Sequence, residues 1–138
     1  MQKIVIVNSN NGCTFSLSTK VIRRYFELSN LGKPYFYIRD YSYLNITKYK
    51  KIEDADDYFY TSFNDLGKEL TNENNIFDKE NYFDQMEILR DDVNLVKAVE
   101  EIKPDEIKIV EIPDDVEWYI REEDDGHESI EETHRSWF

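Results

Sequence analysis

Residues 3–7 read KIVIV, and this run limits the fold more than any other stretch of the chain. Ile4, Val5, Ile6 and Val7 are all β-branched, which suits an extended backbone. Successive side chains of a strand point to opposite faces, so an unbroken apolar run must be covered on both. The run therefore reads as a buried central strand, with further elements packed around it. The polar turn NSNNGCT breaks the pattern immediately afterwards.

A helical period follows in SLSTKVIRRYFELSN, residues 16–30. Ser16 or Ser18 can cap it, because a short hydroxyl accepts from the free N–H groups of a first turn. Val21, Ile22, Tyr25, Phe26 and Leu28 form its apolar face, and Gly32 and Pro34 close it. PYFYIRDY then reads as a strand, with Tyr35, Tyr37 and Arg39 on one side and Phe36 and Ile38 on the other.

From about residue 43 to 88 the aromatics fall irregularly among acids and asparagines. This spacing suggests short helices and loops, one helix beginning near Asp54, and an aromatic-packed insertion or lid. The pattern sharpens at RDDVNLVKAVEEIKP. Asp91 or Asp92 caps a helix there, Val93, Leu95, Val96 and Val99 supply its buried stripe, and Pro104 follows its end. DEIKIVEIP is a further strand, with Ile107, Ile109 and Glu111 facing one way. Val116, Trp118 and Ile120 alternate in the next segment, which turns at Asp125-Gly126, a strong hairpin signal. The last stretch, ESIEETHRSW, reads as a short helix or a returning strand.

The expected fold class is therefore α/β: a small mixed sheet with helices packed on it, an antiparallel C-terminal hairpin or edge strand, and one aromatic-rich insertion. The first strand, helix and strand suggest a right-handed crossover between parallel strands, with the late hairpin extending that sheet at an edge. At 138 residues the chain reads as a single domain, residues 1–138, able to bury a real core.

Charge narrows the partners. The net charge is −13, which disfavours nucleic acid, since phosphates must be met by cations. Residues 1–51 hold 9 basic and 2 acidic side chains, whereas the remainder holds 8 basic and 28 acidic. The first third could thus carry an anion site, and the acidic remainder could meet a basic protein. Cys13 is the sole cysteine, so no internal disulfide can form, and a reducing cytoplasm is the expected compartment. No stretch approaches the roughly 18 apolar residues of a membrane span, and no membrane partner is expected.

Two segments could carry chemistry. The first is the turn NSNNGCTFSLS. In open α/β sheets ligands bind beyond the carboxyl ends of strands, where helix N-termini favour anions. Asn11, Gly12, Ser16 and Ser18, with Arg23 on the helix, are the candidate ligand-binding residues there. The turn has neither the spaced glycines of a dinucleotide fingerprint nor the Gly-Lys-Ser/Thr of a phosphate loop. Cys13 lies in the same turn, where a lowered thiol pKa would make it a nucleophile. The second segment is the C-terminus, which holds both histidines, His127 and His134, seven positions apart among carboxylates. His134 is a candidate general acid–base. Glu128, Glu131 and Glu132 could complete a metal site, but no standard ligand spacing is present, so no metal and no cofactor are expected. Arg135 offers a planar fork to a phosphate or carboxylate, and Trp137 a face on which a base can stack.

KIVIVNSNNGCTFSLS at the start, and RDDVNLVKAVEEI with KIVEIPDDVEWYIREEDDGHESIEETHRSW at the end, resemble a group of small bacteriophage and prophage proteins. The resemblance covers roughly half of the chain and is most specific in the closing segment, EIPDDVEW followed by DG.E.I.E.HR.W. The chain departs from the group's denser CYGGFSLS turn, which weakens the case for a catalytic Cys13. The resemblance implies a phage setting, in the cytoplasm of a bacterial host, and no particular reaction.

Three readings remain open. The leading one is a phage accessory protein that binds a small, anionic, nucleotide-like ligand without turnover and sequesters a host defence signal. It requires residues 11–18 and 134–137 to converge. The second is an acidic inhibitor of a basic host protein, and the third a nucleotide-type hydrolase using His134, His127 and Cys13. A homodimer is the default assembly.

Overall fold

A computed structural model of the chain describes residues 1–7, 15–40, 48–56, 58–70, 76–123 and 127–132. Among these the architecture is mixed α/β, with two helices, nine strands and one short 3-10 turn. Every ladder between described strands is antiparallel. The chain divides into two compact units, one formed by Met1–Ser16 with Ile88–Phe138, the other by Leu17–Glu87.

In the first unit, β1 (Gln2–Val7) pairs with β7 (Ile107–Ile112). Ile4 to Val7 are buried, as an unbroken β-branched run requires. Helix α2 (Val93–Ile102) packs on both strands, and a Lys3–Glu100 ion pair of 3.3 Å links it to β1. Asp92 caps the helix, its carboxylate accepting from Asn94 N at 2.8 Å and Leu95 N at 3.2 Å. Lys103 closes it in the left-handed conformation, donating its N–H to Val99 O at 2.8 Å. The buried stripe is Leu95, Val96, Ala98 and Val99. Val93, expected in that stripe, is instead exposed, because the first turn projects it away from the strands.

The C-terminal hairpin is formed by β8 (Trp118–Glu122) and β9 (Glu128–Glu132). It is a separate two-stranded sheet lying beside β1, not an edge extension of a larger one. Its turn residues, Asp125 and Gly126, lie outside the described residues. Gln2 fixes the connection leading into it. Its amide nitrogen reaches the carbonyls of Pro113, Asp114 and Val116, while its oxygen accepts from Trp118 Nε1 at 3.1 Å.

The second unit is a five-stranded antiparallel sheet in the order β5-β3-β2-β4-β6. Its strands are β2 (Tyr35–Asp40), β3 (Lys48–Ile52), β4 (Tyr60–Ser62), β5 (Glu69–Leu70) and β6 (Tyr82–Phe83). Helix α1 (Thr19–Leu28) covers one face, where Phe26 meets Phe63 and Phe83 at ring separations of 5.5 and 4.8 Å. The other face is closed by Tyr37, Tyr49, Leu70 and Ile76, flanked by Tyr35, Tyr60, Leu66 and Tyr82. Burying so many tyrosines requires partners for their hydroxyls. Tyr37 has two: it donates to Gly67 O and accepts from Leu66 N, each at 2.9 Å. Burial raises its pKa, against the lowering effect of the Leu66 N–H.

Two expectations are thereby corrected. Residues 48–70 and 82–83 supply strands rather than short helices, and β4 occupies the place of the helix expected from Asp54. β1 and β2 are not joined as a parallel crossover, since they belong to different sheets. Here ladder pairing outweighs local propensity, as it does wherever strands are too short to carry a period of their own.

Candidate functional site

β2 has β3 on one side and β4 on the other, but the two ladders end at different heights. On the β3 side pairing continues to Asp40, with Ile38 opposite Lys50 and Arg39 opposite Tyr49. On the β4 side it stops at Tyr37 opposite Tyr60. Beyond that point the chain leaves the ladder, and a cavity of about 600 Å³ opens at the end of β2. That volume lies within the range of roughly 300–1,000 Å³ of small-molecule sites.

Ile38, Ile52, Ala55 and Phe59 give the cavity apolar wall. Tyr58 and Tyr60 add aromatic rings with hydroxyls, and Arg39 and Asp54 bring one charge of each sign. The walls are held from behind. Phe59 is buried edge-on against Phe36 with the rings 5.3 Å apart, and Tyr60 packs against Tyr49 at 5.6 Å. Arg39 and Tyr58 are exposed.

Asp54 is bound into the start of α1. Arg23 Nη1 donates to its carboxylate at 2.7 Å, and the Thr19 hydroxyl lies at 3.4 Å. Thr19 N donates to Ala55 O at 3.0 Å, and Ala55 N donates back to the Thr19 hydroxyl at 3.1 Å. Arg23 also donates to the Glu53 carbonyl and lies 5.1 Å from the centroid of the Phe36 ring. The Arg23 hydrogen bond is the largest influence on Asp54 and lowers its pKa, so it stays ionised. It is a fixed structural charge rather than a base available for proton transfer.

A buried polar cluster lies in the first unit. Arg90 and Glu128 form a bidentate pair, with Nη1–Oε1 at 2.7 Å and Nη2–Oε2 at 3.0 Å. Glu128 Oε1 also accepts from Val7 N at 2.8 Å. Arg90 donates to Val5 O at 3.1 Å and accepts from Val5 N, through its own carbonyl, at 2.9 Å. Its guanidinium carbon sits 3.6 Å from the centroid of Phe15. The N–H and C=O of Val5 point away from β7, as alternate residues of an antiparallel strand must. Arg90 and Glu128 thus satisfy the second edge of β1 in place of another strand.

Of the residues singled out in the sequence, Asn11, Gly12, Cys13, His134, Arg135 and Trp137 lie outside the described residues, and so does the convergence of their two segments. Ser16 is half-buried. Ser18 caps α1, accepting from Val21 N at 3.4 Å. Arg23 is the partner of Asp54 just described. His127 is half-buried, and its carbonyl accepts from Glu123 N at 2.7 Å across the hairpin. Among the described residues no group of His, Cys, Asp and Glu is arranged to hold a metal ion, and no helix is long and apolar enough to cross a membrane.

The cavity residues Arg39, Asp54, Tyr58, Phe59 and Tyr60 were not read as a site in the sequence. The signal for the last three is DDYFY, residues 56–60, three successive aromatics entering a strand directly after acids. Comparison with known protein families, curated proteins and solved structures gives no match, so the chemistry of this site is argued from its own residues.

Proposed function

We propose that the chain binds a small planar anion of nucleotide type at the end of β2 and holds it without converting it. The observation that carries this reading is one cavity of about 600 Å³ whose lining combines apolar and aromatic walls with an arginine, Arg39. Aromatic rings stack on a base regardless of its identity, and a guanidinium meets phosphate or carboxylate as a planar fork. Lys50, opposite Ile38 on the neighbouring strand, adds positive charge nearby. The surplus of cations in the first third of the chain points the same way. Asp54 is already committed to Arg23, which favours holding over catalysis. The resemblance to phage proteins supplies the setting, in which retaining a nucleotide signal removes it from a host response.

The test has two arms. Protein purified from bacterial cells is weighed by native mass spectrometry and then denatured, and the released small molecules are identified. Adenosine 5′-monophosphate and adenosine are then compared as probes by saturation-transfer NMR. A stoichiometric aromatic anion, or binding of the monophosphate well above the nucleoside, is the expected result, with the difference abolished in Arg39→Ala. No released small molecule, together with no transfer to millimolar monophosphate, overturns the reading. A co-purifying basic protein in that case moves the acidic-inhibitor reading to first place.

A further inference from the structure

We infer that Tyr58 is the specificity-determining residue of this cavity, providing the surface on which a planar ring stacks; this rests on the binding reading above. Its backbone is left-handed, with φ 57, and its ring is 81% exposed while lining the cavity. A bulky residue in that conformation is a true outlier, because its Cβ crowds the backbone. Glycine would adopt the same angle without the clash. Strain of this kind persists where surrounding structure enforces it and gathers at ligand sites.

The surroundings that enforce it are visible. Phe59 is locked against Phe36 on one face of the sheet. Tyr60 is locked on the other, against Tyr49 and, at 5.2 Å, against Phe77. Had the ladder continued past Tyr37 and Tyr60, Arg39 would stand opposite Tyr58. The left-handed turn takes Tyr58 out of that register. The same turn therefore opens the cavity and sets an exposed aromatic ring on its lining. An aromatic residue and an arginine lining one cavity suit a ligand with a flat π-system and an anionic group, such as a nucleoside phosphate.

Tyr58→Gly and Tyr58→Phe separate the backbone from the ring. Tyr58→Gly should raise the urea midpoint and weaken adenosine 5′-monophosphate binding about tenfold, the scale of one lost base–aromatic stack. Tyr58→Phe keeps the ring and should bind within about twofold of the parent. A lower urea midpoint for Tyr58→Gly would show that the ring serves packing, and would overturn the inference. So would unchanged binding in Tyr58→Gly; if Arg39→Ala still loses the probe, the binding reading survives and only the role of Tyr58 falls. A parent protein that fails to bind the probe, and releases no small molecule, removes both.

Discussion

Replacing Glu128 by alanine should destabilise the protein far more than its place in an acidic surface strand suggests. The Arg90 and Glu128 side chains are only 16% and 6% exposed, and they share two charge-assisted hydrogen bonds. Truncating one partner of a buried pair costs about 3–5 kcal/mol, because the other charge is left uncompensated. Part of that cost is local: Val7 N loses its acceptor, and an orphaned buried amide costs about 1–3 kcal/mol. For a chain of this size the midpoint of thermal unfolding should fall by roughly 10–15 °C. Glu128→Gln keeps an oxygen for Val7 N but sets an NH₂ against Arg90 Nη2, two donors facing each other, so about 2 kcal/mol is expected. The exposed Arg24–Glu27 pair, at 33% and 64%, is the control, and Glu27→Ala should cost under about 0.5 kcal/mol. The double substitution Arg90→Met with Glu128→Leu should cost less than Glu128→Ala alone, since it leaves no charge unpaired and the methionine can still lie on Phe15. Urea titration supplies the energies, and hydrogen exchange at the Val5 and Val7 amides locates the effect. A loss below about 1 kcal/mol in Glu128→Ala would refute the argument that these side chains stand in for a strand, and a double variant worse than the single would refute the uncompensated charge as the main cost.

Two further outcomes follow from the second unit. Tyr37→Phe deletes the hydroxyl that bridges Gly67 O and Leu66 N, and should cost about 1–3 kcal/mol in urea titration without changing the fold seen by circular dichroism. Asp54 has a lowered pKa in the folded state, so its pairing with Arg23 stabilises the protein above the usual carboxylate range of about 4 and is lost as the pH falls through the folded value. Asp54→Asn should therefore flatten the acid limb of a stability–pH profile measured by urea midpoints. An unchanged limb would mean that the pair contributes no net stability.

The elements with a strong local signature were legible in the sequence. Ile4 to Val7 read as a covered strand, and the cap candidates Ser16 or Ser18 and Asp91 or Asp92 announce two helices, of which Ser18 and Asp92 are the caps in the fold. The hairpin followed from alternation at Trp118 and Ile120. The five-stranded sheet left no comparable trace. β3 reads KYKKI, with a single buried residue, Tyr49, among lysines. β5 and β6 are two residues each, too short to show a period of two. Their strand character comes from tyrosines closing a face with chain far away in sequence, and no local pattern encodes that pairing. Glu128 was hidden for a different reason. It is one of 30 acidic residues, and what distinguishes it is a partner 38 positions upstream.

The site was hidden by a backbone angle. Three non-glycine residues among those described have positive φ: Asn30, Tyr58 and Lys103. Two have an ordinary cause. Asn30 follows α1, where Leu31 N turns back to Phe26 O, and Lys103 ends α2 with its N–H on Val99 O. A left-handed residue at a helix end satisfies carbonyls that would otherwise lack donors, and asparagine accepts that conformation readily. Tyr58 ends no helix. It lies between acids and the first residue of a strand, where turn rules would place glycine or asparagine if a left-handed residue were foreseen. A tyrosine in that position reads as one more strand residue, and such a reading continues the β2–β4 ladder over the space that the cavity occupies. The departure from local rules and the opening of the cavity are thus the same event, so under the proposed binding a substitution at Tyr58 should move stability and binding in opposite directions.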